Sequence, residues 1–153
     1  MKHELLFLGK TKDSYIAEGI ELYLSRLGHY TSVSTSILRE KKGKRGKSNK
    51  DDQATLLLKA IPPGAFSVAL DSGGKQFSSE SFSRLIADWE LRGTRKVCYL
   101  IGGPDGLSSV VTRSANLLLS FSKMTFTHDM VRLFLVEQIY RAYTIKAGEK
   151  YHK

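Results

Sequence analysis

The chain has 153 residues, which fits one domain of ordinary size. Its 41% hydrophobic and 25% charged residues suit a soluble globular protein, and no apolar run approaches the roughly 20 residues of a membrane span. The net charge of +9 favours a polyanionic partner, because neutralising phosphates releases condensed counterions.

An anionic membrane surface would also attract such a charge, but it calls for a basic amphipathic helix, and none is evident. The opening apolar stretch, Leu5-Leu6-Phe7-Leu8, is too short for a signal peptide and reads as a first buried strand. The single cysteine, Cys98, lies in a predicted strand, so no intrachain disulfide is possible and the residue reads as a small buried hydrophobe. Together these features place the chain in the cytoplasm.

After the first strand and Gly9, the residues Tyr15, Ile16, Ile20, Tyr23, Leu24 and Leu27 recur at three- and four-residue steps. That period is an amphipathic helix, closed by Gly28. Residues 32–38 are rich in Ser, Thr and β-branched side chains and read as a weaker strand. Residues 39–50 hold seven basic residues and one acid, Glu40; such a block repels itself, so it reads as a mobile basic loop, either solvated or in contact with RNA. Residues 51–61 read as a helix stopped by Pro62-Pro63-Gly64. Residues 66–70 form a strand, followed by a turn at Asp71-Ser72-Gly73-Gly74-Lys75. Ser78 or Ser79 caps the next helix, which carries Phe82, Leu85, Ile86 and Trp89 and ends at Gly93.

Residues 96–101 are the most hydrophobic strand, and Gly102-Gly103-Pro104-Asp105-Gly106 turns sharply out of it. Ser108 or Ser109 caps a short helix that runs to about Ala115, and residues 117–121 form a fifth strand. The last helix spans about 127–143, with Met130, Val131, Phe134, Leu135, Val136, Ile139, Tyr140 and Tyr143 spread around much of its circumference. A helix apolar on most sides is buried on most sides, so one face is expected to meet a second subunit in a homodimer. Strands alternating with helices give an α/β fold, a mainly parallel sheet flanked by helices in one domain.

In open α/β sheets, ligands bind beyond the carboxyl ends of the strands. Three of those ends are unusual here: 70–75, 101–107 and 120–128, rich in glycine and serine. Glycine lets a ligand approach the backbone closely, although tight turns need glycine in any case. A Walker A motif, a Gly-x-Gly-x-x-Gly fingerprint after the first strand and a Gly-x-Ser-x-Gly elbow are all missing. The histidines His3, His29, His128 and His152 are scattered, so no metal is expected, and His3 and His29 read as structural or surface residues. The C-terminal stretch mixes Arg132, Arg141, Lys146, Lys150 and Lys153 with Tyr140, Tyr143, Tyr151 and His152. Cations among aromatics suit single-stranded or looped RNA, where bases stack on rings and phosphates meet cations. Arg132, Tyr151, His152 and Lys153 are the candidate RNA-binding residues; Tyr140 reads as core.

The segments Leu-Asp-Ser-Gly-Gly-Lys at 70–75, Ile-Gly-Gly-Pro-Asp-Gly-Leu at 101–107 and Ser-Phe-Ser-Lys-Met-Thr-Phe at 120–126 stand in one order with Glu-Gln-Ile-Tyr-Arg-Ala-Tyr at 137–143 and the terminal Tyr-His-Lys. Gly9-Lys10 and Arg26-Leu27-Gly28-His29-Tyr30 add to the set. In that order the chain resembles the RlmH (YbeA-like) family of SPOUT-class methyltransferases, along its whole length except the basic loop. The resemblance implies a deep C-terminal trefoil knot, against the general rarity of knots, and a homodimer. It implies S-adenosylmethionine-dependent methylation of N3 of a pseudouridine in helix 69 of the 23S ribosomal RNA, on the assembled ribosome. It also implies that Leu70, Gly102, Phe121, Ser122, Lys123, Met124, Thr125 and Phe126 line the S-adenosylmethionine pocket.

A sulfonium makes its methyl group electrophilic, so the task is mainly one of positioning and no metal is needed. The imide proton must leave, and a nearby cation would stabilise the developing anion. Arg141 is the candidate for that charge, with His128 or His152 nearby as the proton acceptor. One departure from the family is Thr127, where proline is usual; threonine is a reasonable helix N-cap. The basic loop is also unusually rich in lysine and glycine. The competing readings are a non-catalytic RNA- or ribosome-binding module, a SPOUT methyltransferase acting on tRNA, and, more distantly, a membrane-surface protein.

Overall fold

The computed structural model describes residues 1–39 and 49–152. Of the basic loop expected at 39–50, residues 40–48, like Lys153, lie outside the described residues, and Lys50 already belongs to a helix. The element order is β1 (Lys2–Leu8), α1 (Ser14–Leu27), β2 (Ser32–Leu38), α2 (Lys50–Ala60), β3 (Phe66–Gln76), α3 (Ser79–Leu91), β4 (Lys96–Ile101), α4 (Ser109–Ser114), β5 (Leu117–Ser120) and α5 (His128–Lys146). Among the described residues the strands pair in parallel, and the five strands stand in the order β2-β1-β4-β3-β5. Parallel strands need crossovers, and helices supply them here.

Side chains alternate across a strand, so the apolar runs of β1 and β4 feed two cores. Leu5, Phe7, Val97, Tyr99 and Ile101 pack on one face with Ile16, Ile20 and Leu27 of α1, Ile86 and Trp89 of α3, and Leu135, Val136 and Ile139 of α5. Leu6, Leu8, Cys98 and Leu100 pack on the other face with Ala54 and Leu57 of α2 and Val111 of α4. The result is three layers, helices on both sides of one sheet. The helix starts follow local chemistry: Asn49, Ser78, Ser108 and Thr127 each accept a backbone N–H from the first turn.

Two expectations change. β3 does not end at Leu70 but continues to Gln76, because both Leu70 and Lys75 pair with Leu119 and residues 71–74 bulge out between them. The apolar circumference of α5 is largely met within the chain, since α1 and α3 pack along it and β4 touches it. Met130 stays exposed on it. Among the described residues, no helix is long and apolar enough to cross a membrane.

Candidate active site

The carboxyl ends of β3, β4 and β5 lie side by side, and a cavity of about 690 Å³ opens above them. Its first wall is the β3 bulge. Asp71 accepts a bond from the Gly73 amide at 2.9 Å through Oδ1, which curls the bulge back on itself. Gly74 then passes so close to β5 that a Cβ on it would stand 2.7 Å from the Leu118 carbonyl carbon and oxygen. Only glycine fits that approach. The second wall is the loop after β4. There Gly106 donates to the Gly103 carbonyl at 3.0 Å and takes the left-handed conformation with φ of 73°. A Cβ on Gly102 would stand 2.7 Å from the backbone of Gly106, so the loop folds tightly onto its own first residue.

The third wall follows β5. The Ser120 hydroxyl lies 2.8 Å from the Ser122 carbonyl and 3.1 Å from the Ser72 carbonyl, where it fastens the first wall to the third. Ser122 Oγ accepts from the Met124 amide at 3.0 Å. Phe121 and Phe126 both meet Phe134 of α5 edge-on, at centroid distances of 6.3 and 5.2 Å. Thr127 Oγ1 accepts from the Met130 amide at 3.3 Å, so α5 starts cleanly with threonine at this position.

Of the residues expected at the pocket, Leu70, Gly102, Phe121, Ser122, Met124, Thr125 and Phe126 line the cavity. Lys123 is exposed and does not line it. His128 does, at the start of α5, with Nε2 3.3 Å from Asp129 Oδ1. Burial lowers the imidazole below its ordinary range, and the Asp129 carboxylate opposes this only in part. His128 thus faces the cavity where burial favours its neutral form.

Arg132 is a correction. As a basic residue near the site it was expected on the RNA-binding surface, but its side chain is fully buried. Nη2 donates to the Leu8 carbonyl at 2.6 Å, Nη1 to Thr11 Oγ1 at 3.1 Å, and the guanidinium lies 4.8 Å over the Phe7 ring. Asp129 Oδ1 stands 3.1 Å from Nη1, an ionic contact without hydrogen-bond geometry, and Asp129 Oδ2 accepts from the Lys12 amide at 2.9 Å. Arg132 and Asp129 thus tie the segment after β1 to the start of α5. Arg132 is taken up by structure and presents nothing to RNA.

A second cluster forms where the C-terminal tail returns over α5. Glu137 Oε1 accepts from Arg141 Nη2 at 2.6 Å, from Arg141 Nε at 3.0 Å and from the Tyr151 hydroxyl at 3.0 Å. The guanidinium lies 4.8 Å over the Tyr151 ring, and Tyr151 also meets the Tyr23 hydroxyl at 3.1 Å. Arg141 Nη1 donates to His152 Nδ1 at 3.3 Å, and His152 Nε2 donates to Glu80 Oε1 at 2.8 Å. The Glu80 carboxyl is pushed down to about 2 by bonding from Ser78, its own backbone amide and His152. Tyr23, Tyr140 and Tyr151 meet ring to ring here, with Arg26 over the first two. Tyr151 and His152 are half-buried, docked on the protein rather than trailing from it.

The structure does not bring the three proposed catalytic side chains together in one chain. His128 and Arg141 are thirteen residues apart on α5, which at 1.5 Å per residue is about 20 Å. Neither Arg141 nor His152 lines the cavity that His128 faces.

Comparison with known proteins decides the family. The model for the family described as predicted SPOUT methyltransferase matches residues 1–152. The chain belongs to the SPOUT methyltransferase family. It is 61% identical over 153 residues, 100% of both chains, to the ribosomal RNA large subunit methyltransferase H of Desulfotalea psychrophila. It is 39% identical to the protein of the same name from Geotalea daltonii, over 99% of each. A solved structure described as a probable methylase family protein from Haemophilus influenzae Rd KW20 matches 99% of this chain and 70% of that one, with a TM-score of 0.56 and 7% identity. At that identity the likeness shows the fold alone.

Several residues of this SPOUT methyltransferase site were missed from sequence. Asp71, Ser72, residues 103–106 and Ser120 line the cavity within loops already singled out for their glycines and serines. Val131 lines it from α5, but from sequence it reads as core. Glu137 could have been found, since it precedes Arg141 by four residues and that spacing pairs side chains on a helix. Glu80 and Tyr23 could not, because they reach the tail from α3 and α1 across long separations in sequence.

Proposed function

We propose that this chain methylates large-subunit ribosomal RNA with S-adenosylmethionine. The target we infer is N3 of a pseudouridine in helix 69 of the 23S RNA, on the assembled ribosome in the cytoplasm. The observation that carries the reading is the cavity at the carboxyl ends of β3, β4 and β5, in a SPOUT methyltransferase 61% identical from end to end to a protein named ribosomal RNA large subunit methyltransferase H.

The residues present fit the methyl donor. A cavity of about 690 Å³ has the size of a small-molecule site. Leu70, Ile101, Leu119, Phe121 and Phe126 give it apolar walls for a purine ring, and Asp71 and Ser72 place a carboxylate and a hydroxyl at its edge. When bound, S-adenosylmethionine supplies an electrophilic methyl group on a sulfonium sulfur. The chain must hold the imide nitrogen in line with that methyl, which is a positioning task. Arg141 donates to a carbonyl oxygen beside the nitrogen as negative charge develops there. The nitrogen would give its proton to an imidazole, His128 or His152, and its electron pair would bond the methyl carbon as the carbon–sulfur bond breaks and its pair returns to sulfur, which leaves as a neutral thioether. Tyr151, His152 and Lys153 contact the RNA.

The 20 Å or so between His128 and Arg141 favours a site shared by two subunits. In this reading the chain is a homodimer, and the Arg141–His152 cluster of one subunit completes the cavity of the other. The deep C-terminal knot expected of the family belongs to the same reading.

The test is methyl transfer from labelled S-adenosylmethionine to assembled ribosomes and, separately, to free large-subunit RNA and tRNA. Nuclease digestion and mass spectrometry then locate the methyl group. Label on a pseudouridine of the large-subunit RNA is expected. Label on tRNA, or ribosome binding with neither cofactor binding nor methyl transfer, would overturn the reading in favour of a tRNA enzyme or a non-catalytic module.

A further inference from the structure

We infer that Glu137 and Glu80 are positioning residues, which set Arg141 and His152 as a hydrogen-bond donor beside an acceptor to receive the imide edge of the target base. The inference rests on the methyltransferase reading above.

Of the five N–H groups of the Arg141 guanidinium, two are held by Glu137. Nε and Nη2 both donate to Glu137 Oε1, at 3.0 and 2.6 Å. The carboxylate is itself held, since Oε1 also accepts from Tyr151 and Oε2 accepts from Gln138 Nε2 at 2.7 Å. Nη1 makes no bond to Glu137, and it stands 3.3 Å from His152 Nδ1. On the histidine, Glu80 Oε1 lies 2.8 Å from Nε2. A carboxylate only accepts, so Nε2 carries the proton and Nδ1 keeps its lone pair, directed at the guanidinium.

In this arrangement the donor and the acceptor satisfy each other. Arg141 has no free N–H to spare on the side facing His152, and the imidazole has no free lone pair. An imide presents an N–H flanked by carbonyl oxygens. Set between the two side chains, it exchanges their single contact for two bonds, from Nη1 to a carbonyl oxygen and from the imide nitrogen to Nδ1. The same insertion frees the lone pair that accepts the proton and aims a charged donor at the oxygen that gains charge. Neither carboxylate touches the base. Each fixes one partner, Glu137 by leaving Nη1 alone and Glu80 by setting the tautomer.

Glu137 does not line the cavity, so its variants should bind S-adenosylmethionine as the wild type does. On ribosomes, Glu137→Ala should lower kcat on the order of 100-fold with little change in the KM for the cofactor, the loss typical of a misplaced catalytic group. Glu137→Gln, whose amide oxygen still accepts from Nε and Nη2, should recover much of it. In an Arg141→Ala background, Glu137→Ala should cost nothing further, and Glu80→Ala should likewise cost nothing further in a His152→Ala background. Losses that multiply instead, or a Glu137→Ala protein at the wild-type rate, would overturn the inference. A second readout needs no RNA: hydrogen exchange at the Arg141 Nε–H should be slow in the wild type and fast in Glu137→Ala, and equal exchange in both would also overturn it. A wild-type protein that methylates no ribosome would overturn the methyltransferase reading, and the inference with it, whatever the exchange shows.

Discussion

His3 Nε2 donates to the Tyr143 hydroxyl at 2.9 Å, across 140 residues of sequence and wholly inside the protein. Tyr143 passes the bond on to Glu90 at 2.9 Å, and Lys146 closes the chain on the same carboxylate. On the other side of the ring, Nδ1 takes the Tyr99 hydroxyl at 3.2 Å. The imidazole is therefore held neutral with both nitrogens occupied. Burial, and next the N-terminal amine, push it down to about 3.

That shift sets a pH dependence. The folded ring resists protonation down to about pH 3, whereas the unfolded ring binds a proton below about 6.5. The unfolded state therefore gains protons first as pH falls, and stability is lost from about pH 6.5 downward. This one group should remove about 2 kcal/mol between pH 7 and pH 5. Urea titrations at the two values measure it. His3→Gln keeps a donor and an acceptor but cannot titrate, so its loss over the same interval should be smaller by about that amount. An equal loss would assign the acid sensitivity to other groups.

Arg132 and Asp129 should matter to folding rather than to RNA. Arg132→Ala leaves a buried carboxylate without its cation, and a broken buried pair typically costs about 3–5 kcal/mol. Denaturant unfolding measures the loss. The salt dependence of RNA binding should keep its slope in any variant that folds, because a residue that neutralises no phosphate releases no counterion. A flatter slope would return Arg132 to the RNA surface.

The β3 bulge separates two adjacent glycines. A Cβ at Gly74 would press on the backbone of Leu118 and Leu119, which cannot yield without shifting a strand. At Gly73 a Cβ would meet only the Asp71 carboxylate oxygen, 3.2 Å away on a side chain that can turn. Gly74→Ala should cost about 1–3 kcal/mol and weaken binding of S-adenosylmethionine. Gly73→Ala should do little to either. Thermal unfolding and calorimetric titration of both variants check the contrast.

Complementation tests the shared site. Thr125 lines the cavity and is exposed, so Thr125→Trp should block the cofactor without unfolding the domain. Neither that variant nor Arg141→Ala should methylate ribosomes alone. Mixed and allowed to exchange subunits, they should recover roughly a quarter of the wild-type activity, since half the dimers are mixed and each of those has one intact site. No recovery after proven exchange would mean that each subunit works by itself.

Most of the architecture was legible in local pattern. Unbroken apolar runs at residues 5–8 and 97–101 mark strands buried on both faces, and the serines and threonine at 78, 108 and 127 mark helix starts. What escaped depends on distant partners. Asp71-Ser72-Gly73-Gly74 has the composition of a turn, and only its pairing with Leu119 makes it a bulge inside a strand. Arg132 looks like a surface cation until Leu8, 124 residues away, supplies its acceptor. The distance between His128 and Arg141 is different. The rise of a helix, readable from sequence, is enough to keep them from being neighbours on α5.

Cys98 sits in the central strand β4, fully buried, and burial pushes its thiol up to about 12. In the native state it is neither ionised nor within reach of a reagent, so the folded protein offers oxidants and alkylating agents no cysteine to attack. Because it is the only thiol in the chain, its labelling reports when the core beneath α2 and α4, where its side chain packs, opens. The rate of that reaction is a clock for opening of that core, available without any engineered probe.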